Sequence, residues 1–251
     1  MNDLLILSKH SFREQLRGRF FGVSLVFGGL LIYTSVLLGT LAADQELRVL
    51  LDFGLSAIEL LATAAVAYAA ASGLIQEMET KTVTLILSRP VSRPAYLVGR
   101  WLGLLASAVC AVGLMAAMHL LLLFLKGWRW ENAYLLAMAG IGLKIVVTGA
   151  LATLLALVST SVISGLLMTG VLWTLGHFVA EMRFLLARDS LNAKAFSLLV
   201  YLVPNLQLFN FRDRIGLPGA SEQLLLALAY APLYAAACLA LTMLLFRRRE
   251  F

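Results

Sequence analysis

Six long apolar runs limit what this sequence can fold into. A helix that crosses a bilayer needs about 20 mostly apolar residues, and each run is close to that length. The chain is 61% hydrophobic and 14% charged, whereas soluble domains carry about 25% charged residues. We therefore predict an all-α integral membrane protein with six transmembrane helices, at residues 20–41, 53–75, 101–125, 133–158, 162–180 and 224–246.

Lysine and arginine residues are concentrated in three of the segments that flank the runs. In multi-pass membrane proteins such an excess marks the cytoplasmic side. We predict a protein of the cytoplasmic (inner) membrane with both termini in the cytoplasm. The same placement explains the net charge of +6, so nucleic acid is not a predicted partner. The basic residues are Lys9, Arg13, Arg17 and Arg19 before the first run, Lys81, Arg89, Arg93 and Arg100 after the second, and Arg247, Arg248 and Arg249 after the sixth.

The long segment between the fifth and sixth runs, residues 181–223, is predicted to be external. It contains AFSLLVYLVP at residues 195–204, which is too short to span a bilayer. If this piece did span, the last three arginines would fall on the outer side, against the charge rule. We therefore expect a re-entrant or interfacial segment there, within one membrane domain that covers residues 1–251.

Residues 1–19 form a basic arm before the first run. Lys9, Arg13 and Arg17 recur every four residues and share one face of a helix, while apolar side chains lie on another. Such a helix lies in the membrane interface and directs its cations to anionic headgroups. Membrane lipid is therefore a predicted contact.

Four ionisable residues lie within the predicted spans: Glu59, His119, Lys144 and His177. Ionisable groups are costly in a membrane and indicate a function or a partner. Glu59 and Lys144 differ in predicted depth by about 7 Å at 1.5 Å per residue, which two long side chains can bridge. We favour a structural ion pair between them, with a role in a substrate path as the alternative.

A charged insert, QEMETKTVTLILSRPVSRP, interrupts the apolar pattern at residues 76–94. Glu77 and Lys81 are spaced i, i+4 and Pro90 stops a helix, so we predict a short amphipathic helix from residue 76 to about residue 87. A loop with its apolar face on headgroups would explain the charge. Two prolines fix the backbone at its end, which favours a docking element.

Residues 76–103, QEMETKTVTLILSRPVSRPAYLVGRWLG, resemble the segment between the second and third spans of ABC-2 type permeases, the membrane subunits of ATP-binding cassette transporters. The six-span layout, the basic arm LLILSKHSFREQLRGRFF and the motif YLVPNLQLFNFRD at residues 201–213 resemble that family too. The resemblance implies that residues 76–94 form a coupling helix in a cleft of a separate ATPase. It also implies that the N-terminal helix touches this ATPase, a reading we keep open beside the lipid contact. The implied coupling residues are Glu77, Glu79, Thr82, Leu85, Pro90, Ser92 and Arg93.

The sequence has no GxxxxGK[ST] phosphate-binding loop and no Gly-Lys dipeptide. We therefore expect no enzyme activity and no bound cofactor in this chain. The resemblance implies that two copies of the partner ATPase bind ATP and Mg²⁺. Cys110 and Cys238 lie in apolar runs outside any CxxC or Cys/His cluster, so neither a disulfide nor a metal site is predicted.

We interpret the chain as the permease subunit of an ABC-2 type exporter, paired with a second copy or a paralogue. The first alternative is a membrane scaffold that passes ATPase-driven movement to another complex. An intramembrane hydrolase ranks last, because Ser164 and His177 lie at opposite ends of one run, about 20 Å apart along a helix.

Overall fold

The computed structural model describes residues 2–41, 45–82, 92–186, 200, 202–212 and 220–248, and within these ranges the chain is all-helical without a strand. This agrees with the predicted fold class. The helices are α1 (Asn2–Arg17), α2 (Arg19–Leu41), α3 (Glu46–Glu79), α4 (Arg93–Leu125), α5 (Asn132–Val158), α6 (Val162–His177), α7 (Val179–Leu186) and α8 (Ala220–Arg248), and a 3-10 helix covers Leu206–Phe209.

Four helices in the described part of the chain are long and apolar enough to cross a membrane, which indicates a multi-pass membrane protein. They correspond to the predicted second, third, fourth and sixth spans, although α3 and α4 extend well beyond the apolar runs. The helix α2 coincides with the first predicted span. The four are Glu46–Glu79, Arg93–Leu125, Asn132–Val158 and Glu222–Arg248.

The predicted fifth span, residues 162–180, is not one continuous helix. The helix α6 ends at His177 after 16 residues, and α7 begins at Val179. The last turn of α6 is closely packed, because a side chain on Gly176 would come 2.6 Å from the carbonyl oxygen of Pro204. The returning chain therefore crosses directly over the last turn of α6.

The long helices form a bundle with two distinguishable ends, in which α4 runs opposite to α3 and α8. The "α1 end" holds α1, the last turns of α3 and α8 and the first turns of α4. The "α7 end" holds the first turns of α3, the last turns of α4 and the helix α7. The helix α5 is central, since Val147, Ala150, Ala152 and Ala156 are all fully buried.

The N-terminal helix α1 packs against the first half of α4, and glycine allows the approach. A side chain on Gly103 would come 2.5 Å from the carbonyl oxygen of Ser8. Ser11 is buried, and its hydroxyl donates to the carbonyl oxygen of Arg100 at 3.2 Å. The predicted helix at residues 1–19 is therefore present and docked on the bundle. Its exposed basic side chains are Lys9, Arg13 and Arg17.

The predicted helix at residues 76–87 does not begin as a separate element, so this prediction was wrong at its start. The helix α3 instead runs without interruption to Glu79. Lys81 has a φ of 57°, a left-handed conformation that ends a helix. Lys81 therefore does not occupy the i+4 position of Glu77 on a helical face. Leu85 and Pro90 lie outside the described residues.

The described part of the motif YLVPNLQLFNFRD returns into the bundle from the α7 end. Leu206, Phe209 and Phe211 are buried there. A side chain on Gly140 of α5 would collide with the carbonyl oxygen of Phe209, so backbone lies directly on backbone. Most of the predicted re-entrant piece, residues 195–204, is outside the described residues, and the inserted chain lies just after it.

Candidate functional site

An ion pair joins α3 and α5 inside the bundle. Lys144 Nζ lies 2.5 Å from Glu59 Oε1. The Lys144 side chain is 1% exposed and the Glu59 side chain is 17% exposed. The ion pair expected from the depth of these residues is thus present, and it balances two charges that would be costly to bury separately.

Three acceptors surround the ammonium group of Lys144. Besides Glu59, the amide oxygen Oδ1 of Asn210 lies 2.6 Å from Nζ, and Nε2 of His177 lies 3.3 Å away. An ammonium group has three N–H donors, so each donor has an acceptor within reach. We call Glu59, Lys144, His177 and Asn210 the interior ion cluster.

His177 can act as an acceptor because of its contact with its own helix. Its Nδ1 lies 2.9 Å from the carbonyl oxygen of Trp173, and a carbonyl oxygen only accepts, so Nδ1 carries the hydrogen. In the neutral ring, Nε2 then accepts from Lys144. Nε2 is also 3.3 Å from Glu59 Oε1. A proton on Nε2 would therefore replace the bond from Lys144 with one to Glu59.

Asn210 was not among the predicted site residues, although it lies in the motif YLVPNLQLFNFRD. Arg212, two positions later, donates through Nη1 to the carbonyl oxygen of Asp52 at 3.2 Å and to the hydroxyl of Ser56. These bonds hold the returning chain against α3 and bring Asn210 to Lys144. The sequence feature that could have pointed to Asn210 is the presence of amide and guanidinium side chains within an otherwise apolar motif.

A cavity of about 230 Å³ lies one turn from the interior ion cluster, toward the α1 end. Thr63, Thr148 and Trp173 line it, and each lies four residues along its helix from a member of the cluster. Thr148 is 2% exposed. Among the described residues neither its hydroxyl nor the indole N–H of Trp173 has a hydrogen-bond partner. The cluster thus borders a cavity with two unused polar groups.

His119 belongs to a different site. Its Nε2 lies 3.2 Å from the carbonyl oxygen of Leu50, and its Nδ1 lies 3.2 Å from the hydroxyl of Tyr134. The residue is fully buried, and Gly54 leaves space for its ring. His119 therefore joins α4 to α3 and α5 near the α7 end and does not contact Lys144.

A second buried ion pair lies at the α1 end, where α3 ends and α4 begins. One carboxylate oxygen of Glu77 accepts from Arg100 Nη1, and the other accepts from the hydroxyl of Tyr96. The Arg100 and Glu77 side chains are 11% and 14% exposed. Arg100 Nη2 lies over Gly73 and has no hydrogen-bond partner among the described residues. We call Glu77, Tyr96 and Arg100 the root cluster.

The last turn of α8 is attached to the same region. Arg93 Nη1 donates to the carbonyl oxygens of Arg247 at 3.2 Å and Phe246 at 3.4 Å. The rings of Tyr96 and Phe246 are stacked, with centroids 5.9 Å apart. Because the last carbonyls of a helix lack intrahelical partners, Arg93 caps the end of α8.

The predicted coupling residues therefore have different environments. Glu79 is exposed, and Thr82 Oγ1 lies 2.7 Å from Thr80 Oγ1. The remaining two positions fall within residues 83–91, which the structure does not describe. Three further predicted positions make contacts inside the chain, namely Glu77, Arg93 and Ser92, whose hydroxyl accepts from the N–H of Ala95 at 3.3 Å.

Residues 49–251 match the model of a family described as a protein of unknown function, DUF2705. The matched range includes both clusters and the complete helices α4 to α8. No curated protein matches the chain.

Proposed function

The chain belongs to the DUF2705 family, and we propose that it is the permease subunit of an ATP-driven transporter of the ABC-2 type. It pairs with a second copy or a related permease, and two copies of a separate ATPase supply the energy. It exports an unidentified substrate across the cytoplasmic membrane. In this proposal α2 and α6 complete a set of six spans, and both termini lie in the cytoplasm.

The attachment of the described residues on both sides of residues 83–91 is the observation that carries this proposal. Glu77, just before the segment, is bonded to α4, and Arg93, just after it, is bonded to α8. A segment attached to three helices passes a displacement to all of them, which is what a coupling element requires. The resemblance of residues 76–103 to the coupling region of ABC-2 permeases supports the same role.

The helix α3 offers a path from this segment to the interior ion cluster. It is continuous over 34 residues, and Glu77 and Glu59 are about 27 Å apart along it at 1.5 Å per residue. A tilt or shift imposed at Glu77 therefore moves Glu59 against Lys144. The cavity beside Thr148 adjoins the contact between Glu59 and Lys144. We therefore place the proposed substrate path at this cavity.

A membrane scaffold is the second candidate, and one observation favours it. The three N–H donors of Lys144 point to acceptors of the protein itself, as expected of a structural contact rather than a substrate-binding charge. An ATPase-dependent change in the small molecules exported by cells supports the transporter. ATP hydrolysis that alters a third, co-purified protein without any cargo supports the scaffold.

Co-purification tests the partnership with an ATPase. The variant Leu85→Asp places a charge on the predicted apolar docking face. The variant Glu79→Gln removes an exposed carboxylate. If this carboxylate is bonded to the ATPase, its loss weakens binding by about 2 to 5 kcal/mol. Both are expected to fold normally but to lose an associated Walker-motif protein. Glu131→Gln, an exposed glutamate at the α7 end, is the matched control. Absence of any such protein from the wild-type preparation would refute the proposal.

Cysteine labelling tests the orientation separately. We expect a cysteine at Ser88 to react only with reagents in the cytoplasm and one at Asn192 to react only from outside. Labelling of both from one side would contradict six spans.

A further inference from the structure

A cleft of about 260 Å³ lies between α3, α4 and the junction of α1 with α2. Most of its described lining side chains are small, including Ala65, Ala69 and Ser72 on α3 and Ala108 and Ala111 on α4, and the larger ones include Tyr68, Leu104 and Met115. The small side chains leave a narrow apolar slot between two helices that otherwise pack closely. None of these residues belongs to the interior ion cluster or to the root cluster.

The cleft has the length expected for one lipid chain. Its lining extends from Ala62 to Gln76 of α3, about 21 Å at 1.5 Å per residue. Half of a bilayer's hydrocarbon core is roughly 15 Å thick, so the slot extends through one leaflet to the headgroup level. Two of its polar residues, Glu14 and Gln76, are exposed, so the cleft opens at the α1 end.

A basic pocket adjoins this opening. His10, Arg13 and Arg17 of α1 line it, and it shares the wall residues Glu14 and Gly18 with the cleft. The three basic side chains are exposed. Glu14 lies within electrostatic range of Arg100, but Arg100 is already paired with Glu77. The opening therefore presents two guanidinium groups, one imidazole ring and one carboxylate beside the slot.

We propose that this cleft and pocket bind one phospholipid whose headgroup carries both a phosphate and a free ammonium group, as in phosphatidylethanolamine. One acyl chain occupies the slot between Ala69 and Ala108. The phosphate accepts hydrogen bonds from Arg13 and Arg17, since guanidinium groups match phosphate geometry. The ammonium group donates to Glu14. The site depends on neither an ATPase nor transport.

The charge pattern favours this headgroup over two common alternatives. A phosphatidylglycerol headgroup satisfies the arginines but provides no cation for Glu14. A phosphatidylcholine headgroup brings a cation, but its quaternary nitrogen has no N–H to donate. The comparison with phosphatidylglycerol therefore tests the contribution of the headgroup cation, and the comparison with phosphatidylcholine tests the contribution of its N–H donors.

Native mass spectrometry of the delipidated full-length protein in detergent tests the site with dioleoyl forms of these three lipids. We expect one phosphatidylethanolamine to be retained per chain, more strongly than either other lipid. Free phosphoethanolamine at the same concentration should not bind, because it lacks the acyl chain whose contacts with the slot contribute to the affinity. Equal retention of all three lipids, or stronger retention of phosphatidylglycerol, would overturn the proposal.

Variants locate the lipid on the protein. Ala69→Leu fills the slot and should abolish retention, whereas Ala117→Leu on the exposed face of α4 should not. Arg13→Gln with Arg17→Gln should weaken binding at least about tenfold, the factor that corresponds to a hydrogen bond to a charged group. Glu14→Gln should remove the preference over phosphatidylcholine. Because Arg13, Arg17 and Glu14 are exposed, unchanged binding in those variants counts against the site even if Ala69→Leu does not fold.

Discussion

The interior ion cluster and the root cluster contain the same kinds of charged groups but differ in whether all donors of the cation have acceptors. In each, a carboxylate of α3 pairs with a cation of a neighbouring helix. Every ammonium N–H of Lys144 has an acceptor within 3.3 Å. In contrast, Arg100 Nη2 is buried without a hydrogen-bond partner in the part of the chain that the structure describes. All donors of the cation are therefore satisfied in the interior ion cluster, whereas the root cluster retains one unsatisfied donor on Arg100.

This difference has a consequence for movement. A buried donor without a partner costs about 1 to 3 kcal/mol, so a rearrangement that supplies an acceptor to Arg100 is favourable. A rearrangement at Lys144 can only break bonds that are already made. Conformational change is therefore expected to begin at the root cluster and to be resisted at the interior ion cluster.

Removal of one partner from the interior ion cluster is expected to have the largest effect. Lys144→Met leaves the Glu59 carboxylate buried without its cation, and breaking a buried pair costs about 3 to 5 kcal/mol. The double variant Glu59→Gln/Lys144→Met should lose less stability than the two single variants added together. Unfolding of the purified protein in detergent measures all four members of the cycle. Additive losses would show that the two residues are not coupled.

A smaller effect is expected at the root cluster, where two neighbouring glutamates provide an internal control. Glu77→Gln leaves one acceptor oxygen for both Arg100 and Tyr96, so we expect a loss of about 2 to 3 kcal/mol in unfolding free energy. Glu79→Gln, two residues away and exposed, should change it by less than about 0.5 kcal/mol. Equal effects of the two changes would mean that the Glu77 contacts do not stabilise the fold.

The smallest effect is expected for Tyr96→Phe. This change removes the hydrogen bond to Glu77 but keeps the ring stacked on Phe246. We expect a loss of about 1 kcal/mol, measured by the same unfolding experiment. Tyr33→Phe on the exposed face of α2 should have no comparable effect. If Tyr96→Phe does not change the unfolding free energy, the contact of Glu77 with Arg100 alone accounts for the stability contributed by the root cluster.

The all-helical fold and the Glu59–Lys144 pair could be predicted because both follow from local patterns. The length of an apolar run specifies a long helix, and the position of a charge along each run specifies its depth. Asn210 could not be found in this way. Its position depends on the return of the chain across Gly140 and Gly176, and no periodic pattern in the sequence describes that contact.

The partner of Glu77 was mispredicted for a related reason. The i, i+4 rule pointed to Lys81, but α3 ends before that residue. Lys81 adopts a positive φ, which is uncommon for residues other than glycine and has no signal in the sequence. The actual partner, Arg100, is 23 positions later and on another helix. The end of α6 at His177 was not predicted either, because the apolar run continues past it.

The capping of α8 by Arg93 also sets an order for biogenesis. Arg93 and Phe246 are 153 positions apart, and a ribosome adds about 5 to 20 residues per second. Arg93 and the ring of Tyr96 therefore wait roughly 8 to 30 s for their partners during synthesis. A nascent chain or a fragment that stops before Phe246 leaves this surface uncovered. The attachment of the segment between α3 and α4 thus becomes complete only when the last helix has been made, which gives quality control a means to distinguish finished from unfinished chains.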